Sequence, residues 1–319
     1  MNNLLSEIKD KTVLITGHVN PDGDALGSAL AFALLLKKHG ISSDVSFDIK
    51  NALPTNLNHL PFEFITENVK EKYDKVYVFD CGNSSRLGAL ENIVLKSNHV
   101  TVVDHHINPT FGDLQIIDSK AASTTQVLFR EFKKLNLDID SKIATCLMTG
   151  LITDTGRFQY SNTTSEVFQM ASELMSYGAN LTLISENIYG TLDLNAMKLQ
   201  SEVINRIKVF ESENLVVSFV LQSDYERFNI PAEETDFLID TIRLVKNSEV
   251  ALLLKEQEDK SFKGSLRSRK RIDVQKIAST FGGGGHKAAS GFSTNLDIES
   301  CTTEIRNEIK QQLWFLFTR

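Results

Sequence analysis

Two short, almost wholly apolar runs, VYVFD at 76–80 and VTVVD at 100–104, constrain the fold most, and both end in aspartate. A strand that is apolar on both faces must be covered on both, which favours a parallel sheet packed between helices over a sheet with one face in water. A third run, TVLITG at 12–17, opens the series, and a helix over 25–39 and a short strand over 44–47 follow it. Strand then helix, repeated, predicts an α/β fold built on a mainly parallel sheet. Ligands of such sheets bind beyond the carboxyl ends of the strands, where both aspartates fall. From 121 to 188 the pattern turns mostly helical, with Ser/Thr-rich starts at 123–125 and 161–164 and with Gly178 and Gly190 as stops.

The chain has 319 residues, a length that suits two domains. Residues 192–210 carry charged and amide side chains over a helical period without Pro or Gly and read as a connecting helix. A second pattern follows: a strand at 215–221, a helix at 233–245, paired strands at 250–255 and 262–267, a helix-like segment at 273–281, then a glycine-rich turn. The expected division is a metal-bearing domain over 1–190, a helical linker over 191–210 and a smaller α/β domain over 211–319, with the active site in the cleft between them. No internal repeat is seen. The densest apolar run, residues 29–36, is far shorter than the roughly 20 residues a membrane helix requires. The N-terminal MNNLLSEIKDK has neither the cationic stretch nor the apolar core of a secretory signal. Cys81, Cys146 and Cys301 form no CxxC pair, so a cytoplasmic protein without membrane contact is expected.

Immediately after the first run comes His18-Val19-Asn20-Pro21-Asp22-Gly23-Asp24. One imidazole and two carboxylates in a loop at a helix start suit a hard divalent ion such as manganese or magnesium. Taken alone, such a loop at a helix start is more often a cap that satisfies free N–H groups. Asp80 and Asp104-His105-His106 end the next runs, and Asp154 follows an apolar helix. Parallel neighbouring strands would bring these groups to one sheet edge, where so many carboxylates repel one another unless cations neutralise them.

In these motifs the chain resembles the DHH phosphoesterases, a family named for the tripeptide found here as Asp104-His105-His106. The loop 18–28 resembles the first motif of that family, Asp80 the second and Asp154 the fourth, in the expected order. Gly282-Gly283-Gly284-Gly285-His286 resembles the signature of the domain usually paired with it, so the likeness covers nearly the whole chain. The resemblance implies two divalent ions, manganese with magnesium as the alternative. One would be held by His18, Asp22 and Asp80, the other by Asp24, Asp80, His105 and Asp154. It implies that Asp104 orients a histidine and that His106 touches the phosphate or assists the leaving group. A packed histidine at a strand end is the plainer reading of His106.

Residues 260–271 (KSFKGSLRSRKR) are basic and contain no acid, within a chain of net charge −7 from 34 Lys plus Arg against 41 Asp plus Glu. Such a run often marks a solvated edge strand. Strand alternation would put Arg267 and Arg269 on one face, where guanidinium groups suit phosphate. The glycines lack the following GK[ST] of a phosphate loop and follow a helix, which excludes a dinucleotide fingerprint; they offer backbone N–H groups to a ligand or form a plain turn. The resemblance implies that Arg267, Gly284, Gly285 and His286 hold the nucleotide end of a substrate.

An acidic protein with one local basic strand does not coat long nucleic acid, because long polymers demand an extended cationic track. The resemblance implies as substrates short oligoribonucleotides, degraded to mononucleotides, and 3′-phosphoadenosine 5′-phosphate, and the size and charge of the chain agree with substrates of a few nucleotides. Hydrolysis of cyclic or linear dinucleotides is the alternative within the family. Ser268-Arg269-Lys270 is similar to a signature of inorganic pyrophosphatases, but the GGGGH motif favours the nucleotide branch. A non-catalytic nucleotide or RNA-binding module on the same scaffold is the alternative outside enzymology. A homodimer is the default expectation from the prevalence of two-fold assemblies.

Overall fold

The structure, a computed structural model, describes residues 4–5, 8–49, 52–106 and 109–317. Of the N-terminal stretch weighed above as a signal, residues 1–3 and 6–7 lie outside the described ones. The chain divides at Thr191 and Leu192 into two compact units. Among the described residues no helix is long and apolar enough to cross a membrane.

The first unit carries strands β1 (Val13–Gly17), β2 (Asp44–Val45), β3 (Lys75–Phe79), β4 (Val100–Asp104) and β5 (Leu114–Ile117). Its helices are α1 (Gly23–Lys38), α2 (Glu91–Lys96), α3 (Thr124–Lys134), α4 (Ser141–Asp154), α5 (Ser165–Ser176) and α6 (Leu181–Ser185). The sheet is wholly parallel in the order β2-β1-β3-β4-β5. Alternation splits each strand between two cores, as the apolar runs require. Ile15, Tyr77, Phe79 and Val103 pack under α1, α3 and α4, while Leu14, Val76, Val78 and Val102 pack with Val94 of α2. The expected strand at 44–47 is only two residues long, and β5, which has polar Gln115 between partly buried residues, escaped the sequence reading. Ser123 and Thr164 do cap their helices, accepting from the N–H groups of Gln126 and Val167.

The second unit begins with α7 (Leu194–Asn205), followed by β6 (Lys208–Phe210), β7 (Leu215–Val220), α8 (Gln222–Phe228), α9 (Leu238–Ile242), β8 (Val250–Glu256) and β9 (Phe262–Ser268). It ends with α10 (Val274–Thr280), β10 (Gly284–His286), β11 (Ala289–Thr294) and α11 (Ile298–Phe317). The sheet runs β10-β11-β9-β8-β7-β6, with only β7 and β8 parallel. Ala196, Leu199 and Val203 of α7 are buried with Val216 and Leu253, so the segment read as a connector is a core helix of this unit. The expected helix over 233–245 is instead a single turn, Ala232–Thr235, and the short α9. Thr235 bonds back to the Ala232 carbonyl and leaves Asp236 to meet the buried Lys255, which interrupts the helix.

One close approach fixes the first unit. A Cβ on Gly27 of α1 would stand 2.5 Å from the Cys146 carbonyl oxygen of α4, far inside van der Waals contact. Gly27→Ala is therefore expected to push the helices apart and to cost about 1–3 kcal/mol, as overpacked cores do. Denaturant unfolding checks this, and an unshifted midpoint would contradict the contact.

Candidate metal centre

The strand order of the first sheet reverses between β1 and β3, and a crevice opens beyond the carboxyl ends of two such strands. The chain leaves β1 into the loop bearing His18, Asp22 and Asp24, and leaves β3 at Asp80. Asp80 is 3% exposed and has a left-handed backbone, φ 56°. That conformation costs a non-glycine residue about 1–3 kcal/mol, so its surroundings must hold it there. Thr124 Oγ1 donates to its Oδ1 at 2.9 Å, His105 Nε2 and His106 Nδ1 lie 3.6 and 3.4 Å from the same oxygen, and His18 Nε2 lies 3.6 Å from Oδ2.

Three sets of donor atoms gather here, each within 4.8 Å of one another: His18, Asp22 and Asp80; Asp24, His105 and Asp154; and Asp80 with Asp104, His105 and His106. The first loop caps α1 and also brings donor atoms together. Asp22 Oδ1 accepts from the N–H groups of Asp24 and Ala25 at 3.0 and 3.1 Å, while its Oδ2 lies 3.8 Å from His18 Nε2. Asp24 is fully buried, its oxygens facing the N-terminus of α3, where Thr124 and Thr125 donate from their backbones at 2.5 and 2.9 Å. Helix N-termini favour negative charge, which helps to explain how the group tolerates burial. Gly150 makes room for it, since a Cβ there would come within 2.5 Å of Asp24 Oδ1. Asp154, the last residue of α4, lies 3.2 Å from His105 Nε2.

Two histidines are set by their outer nitrogens. Nδ1 of His18 bonds to the Val19 carbonyl at 2.8 Å and Nδ1 of His105 to the Ala121 carbonyl at 3.3 Å. A carbonyl only accepts, so each Nδ1 carries a proton and each Nε2 faces the carboxylates, the arrangement that metal-binding imidazoles require. His106 differs. Its Nδ1 lies 2.7 Å from Asp104 Oδ1, and its backbone N–H donates to the same oxygen at 3.0 Å.

Electrostatics at the centre are those of crowded carboxylates. Burial, then Asp154 and Asp80, push Asp24 well above the usual carboxylate range, and burial raises Asp154 to about 6. For Asp80 burial acts upward, but hydrogen bonds from His106 and His18 outweigh it and hold the carboxyl well below its usual value. Burial would lower the three histidines. Hydrogen bonds to Asp22 and Asp80 instead raise His18 to about 10, Asp154 raises His105 to about 9, and Asp104 with Asp80 raises His106 to about 11. The side chains thus balance their charge with protons. Divalent cations fit the same donor set: hard oxygens, outward-held imidazoles and a buried Asp104 Oδ2 that has no hydrogen-bond partner.

Sequence reasoning missed Thr124 as an anchor of Asp80 and Gly150 as the space for Asp24. The Ser-Thr-Thr start of α3 showed only as a cap, and nothing in the chain indicated which carboxylate it would meet.

In the second unit His286, Ala289 and Arg267 lie opposite one another across β10, β11 and β9, so His286 and Arg267 share a face of the sheet. Gly284 and Gly285 belong to β10 and are exposed. Arg269 lies one residue beyond the end of β9 at Ser268 and lines the same small cleft as Arg267. Its backbone donates to the Glu249 carbonyl and its guanidinium to the Arg243 carbonyl at 2.6 Å.

Fold and centre together define a phosphoesterase with a divalent-metal site on the switch point of a parallel sheet. The chain belongs to the DHH family: residues 12–151 match the DHH family N-terminal domain and residues 212–314 the DHHA1 domain. It is 30% identical to the bifunctional oligoribonuclease and PAP phosphatase NrnA of Thermus thermophilus over 94% of this chain and 90% of that protein. The protein of the same name from Bacillus subtilis is 27% identical over 88% of this chain and 89% of its own length. An exopolyphosphatase-related protein from Bacteroides fragilis has the same fold, with a TM-score of 0.86 at 24% identity, covering 95% of this chain and 93% of the other.

An imidazole must be neutral to ligate a metal, and both His18 and His105 hold protons above pH 8. Metal loading at pH 8 is therefore expected to release protons. Calorimetry in two buffers of different ionisation enthalpy reads the release, and identical heats would contradict it.

Proposed function

We propose that the chain is a two-metal, manganese-dependent hydrolase that degrades short oligoribonucleotides to mononucleotides and converts 3′-phosphoadenosine 5′-phosphate to AMP in the cytoplasm. The observation that carries this reading is the reach of the likeness to the oligoribonuclease and PAP phosphatase relatives, which runs through both units, 94% of the chain in one case. The donor groups around Asp80 support it, because His18, Asp22 and Asp80 of one implied set, and Asp24, His105 and Asp154 of the other, each fall within 4.8 Å of one another, with Asp80 Oδ1 3.6 Å from His105.

When bound, a pair of divalent ions supplies Lewis acidity, which neutralises phosphate charge and eases the deprotonation of water at neutral pH. The chain does the rest. Asp80 sits between the two donor sets and ties their spacing to the end of β3. The His106 imidazole, raised to about 11 by Asp104 and Asp80, is protonated at neutral pH and suits donation to a phosphate oxygen or to the departing alkoxide. Asp104 acts through it by fixing the ring. Arg267, His286 and the backbone of Gly284 and Gly285 would hold the nucleotide end, the guanidinium through paired hydrogen bonds. A net charge of −7 agrees with substrates of a few phosphates.

The test is turnover by the manganese-loaded protein of a labelled RNA dinucleotide and trinucleotide, 3′-phosphoadenosine 5′-phosphate, a cyclic dinucleotide and pyrophosphate in parallel. Turnover of the first three is expected. Hydrolysis of none would contradict an enzyme, and hydrolysis of the cyclic dinucleotide or pyrophosphate alone would favour the other branches.

Asp80→Asn keeps a side chain that tolerates the left-handed backbone and removes the shared charge. Because even the outer partners of metal ligands are worth about 10–100-fold, loss of this one is expected to lower kcat by at least about 100-fold. Near-normal kcat in a folded variant would refute the shared role.

A further inference from the structure

The loop after Asp154 has a feature that the metal centre does not use. Gly156, Arg157 and Phe158 are all left-handed, with φ of 53°, 61° and 62°. An arginine and a phenylalanine rarely adopt that conformation, and such outliers persist only where the surroundings hold them. The loop is strapped to the end of α4. Arg157 N–H donates to the Ile152 carbonyl at 2.9 Å, Tyr160 N–H donates to the Thr155 carbonyl at 3.0 Å, and Asn162 Nδ2 donates to the carbonyls of Asp154 and Ala122 at 3.1 and 3.2 Å. Phe158 turns inward, onto the main core and Phe168, its ring centroid 5.4 Å away.

The left-handed turn sends Arg157 the other way. Its side chain is exposed, with the guanidinium carbon over the Tyr189 ring, 4.4 Å from its centroid. It is also the single Lys or Arg between Lys142 and Lys198, and it stands three residues from Asp154. Residues so placed in a closed turn have Cα atoms within about 7 Å, a distance an arginine side chain spans. The cluster beside it is rich in carboxylates, yet Arg157 is paired with an aromatic ring, and stacking leaves the edge of a guanidinium with N–H groups to offer.

We propose that Arg157 is a substrate-contacting residue of the first unit, gripping non-bridging oxygens of a phosphate at the Asp154 side of the metal centre, with Tyr189 as its rest. The reading deepens the proposed phosphoesterase function and rests on it. Backbone strain here places a cation where the arriving ligand is an anion, and a residue that served only to cover Tyr189 would not need it.

The test compares wild type with Arg157→Asn and Arg157→Gly, both of which accept a left-handed backbone without the strain of arginine. Three quantities are measured: the thermal unfolding midpoint, manganese affinity, and the affinity of the manganese-loaded protein for inorganic phosphate by calorimetry. The expected result is phosphate binding weakened about 10-fold or more, the scale of a lost charge-assisted hydrogen bond, with the midpoint unchanged or higher and manganese affinity unchanged. Unchanged phosphate affinity, or a wild type that binds no phosphate, would overturn the proposal. A lowered midpoint together with weakened manganese binding would do so as well, since Arg157 would then be shaping the loop. Inorganic phosphate carries no nucleoside, so a failure of the nucleotide reading shows in the turnover panel and a failure of this one in phosphate binding.

Discussion

A carboxylate cannot be buried among other carboxylates without something positive at contact distance, and the first unit is arranged around that constraint at Asp80. The residue is 3% exposed and lies within 3.6 Å of ring nitrogens from His18, His105 and His106. His18 follows β1, His105 and His106 both follow β4, and Asp80 itself follows β3, so the neutralisation of one charge ties the ends of these three strands to one another. Asp24 meets the same constraint differently, with two backbone N–H groups at the start of α3.

The chemistry follows from how the remaining charge is balanced. Protons on the histidines and on the raised carboxyls offset it in the side chains alone, and divalent ions, arriving with the same sign, would displace them. His106 stands apart because its Nδ1 is engaged by Asp104 at 2.7 Å. Under the proposed function, one cluster would hold both the metal ligands and a proton donor.

Much of this was legible in the chain. VYVFD and VTVVD, apolar on both faces, require a covered parallel sheet, and aspartates at their ends require a polar edge. What the sequence could not show depends on contacts between distant segments. Gly27 and Gly150 are ordinary helix glycines until α1 and α4 are brought together, and Thr124 is an ordinary cap residue until Asp80 lies beside it. Alternation alone makes Arg269 a partner of Arg267, and the chain gave no sign that its guanidinium would donate to the Arg243 carbonyl. The left-handed turn at 156–158 gave no signal apart from Gly156, because arginine and phenylalanine carry no preference for it.

The account stands or falls on Asp80 as a carboxylate shared between two ions. Anomalous scattering from crystals grown with manganese measures this directly. The account predicts two peaks per chain, one beside His18 and Asp22 and one beside Asp24, His105 and Asp154, each in coordination contact with an oxygen of Asp80. A single peak, or two peaks neither of which touches Asp80, would contradict it.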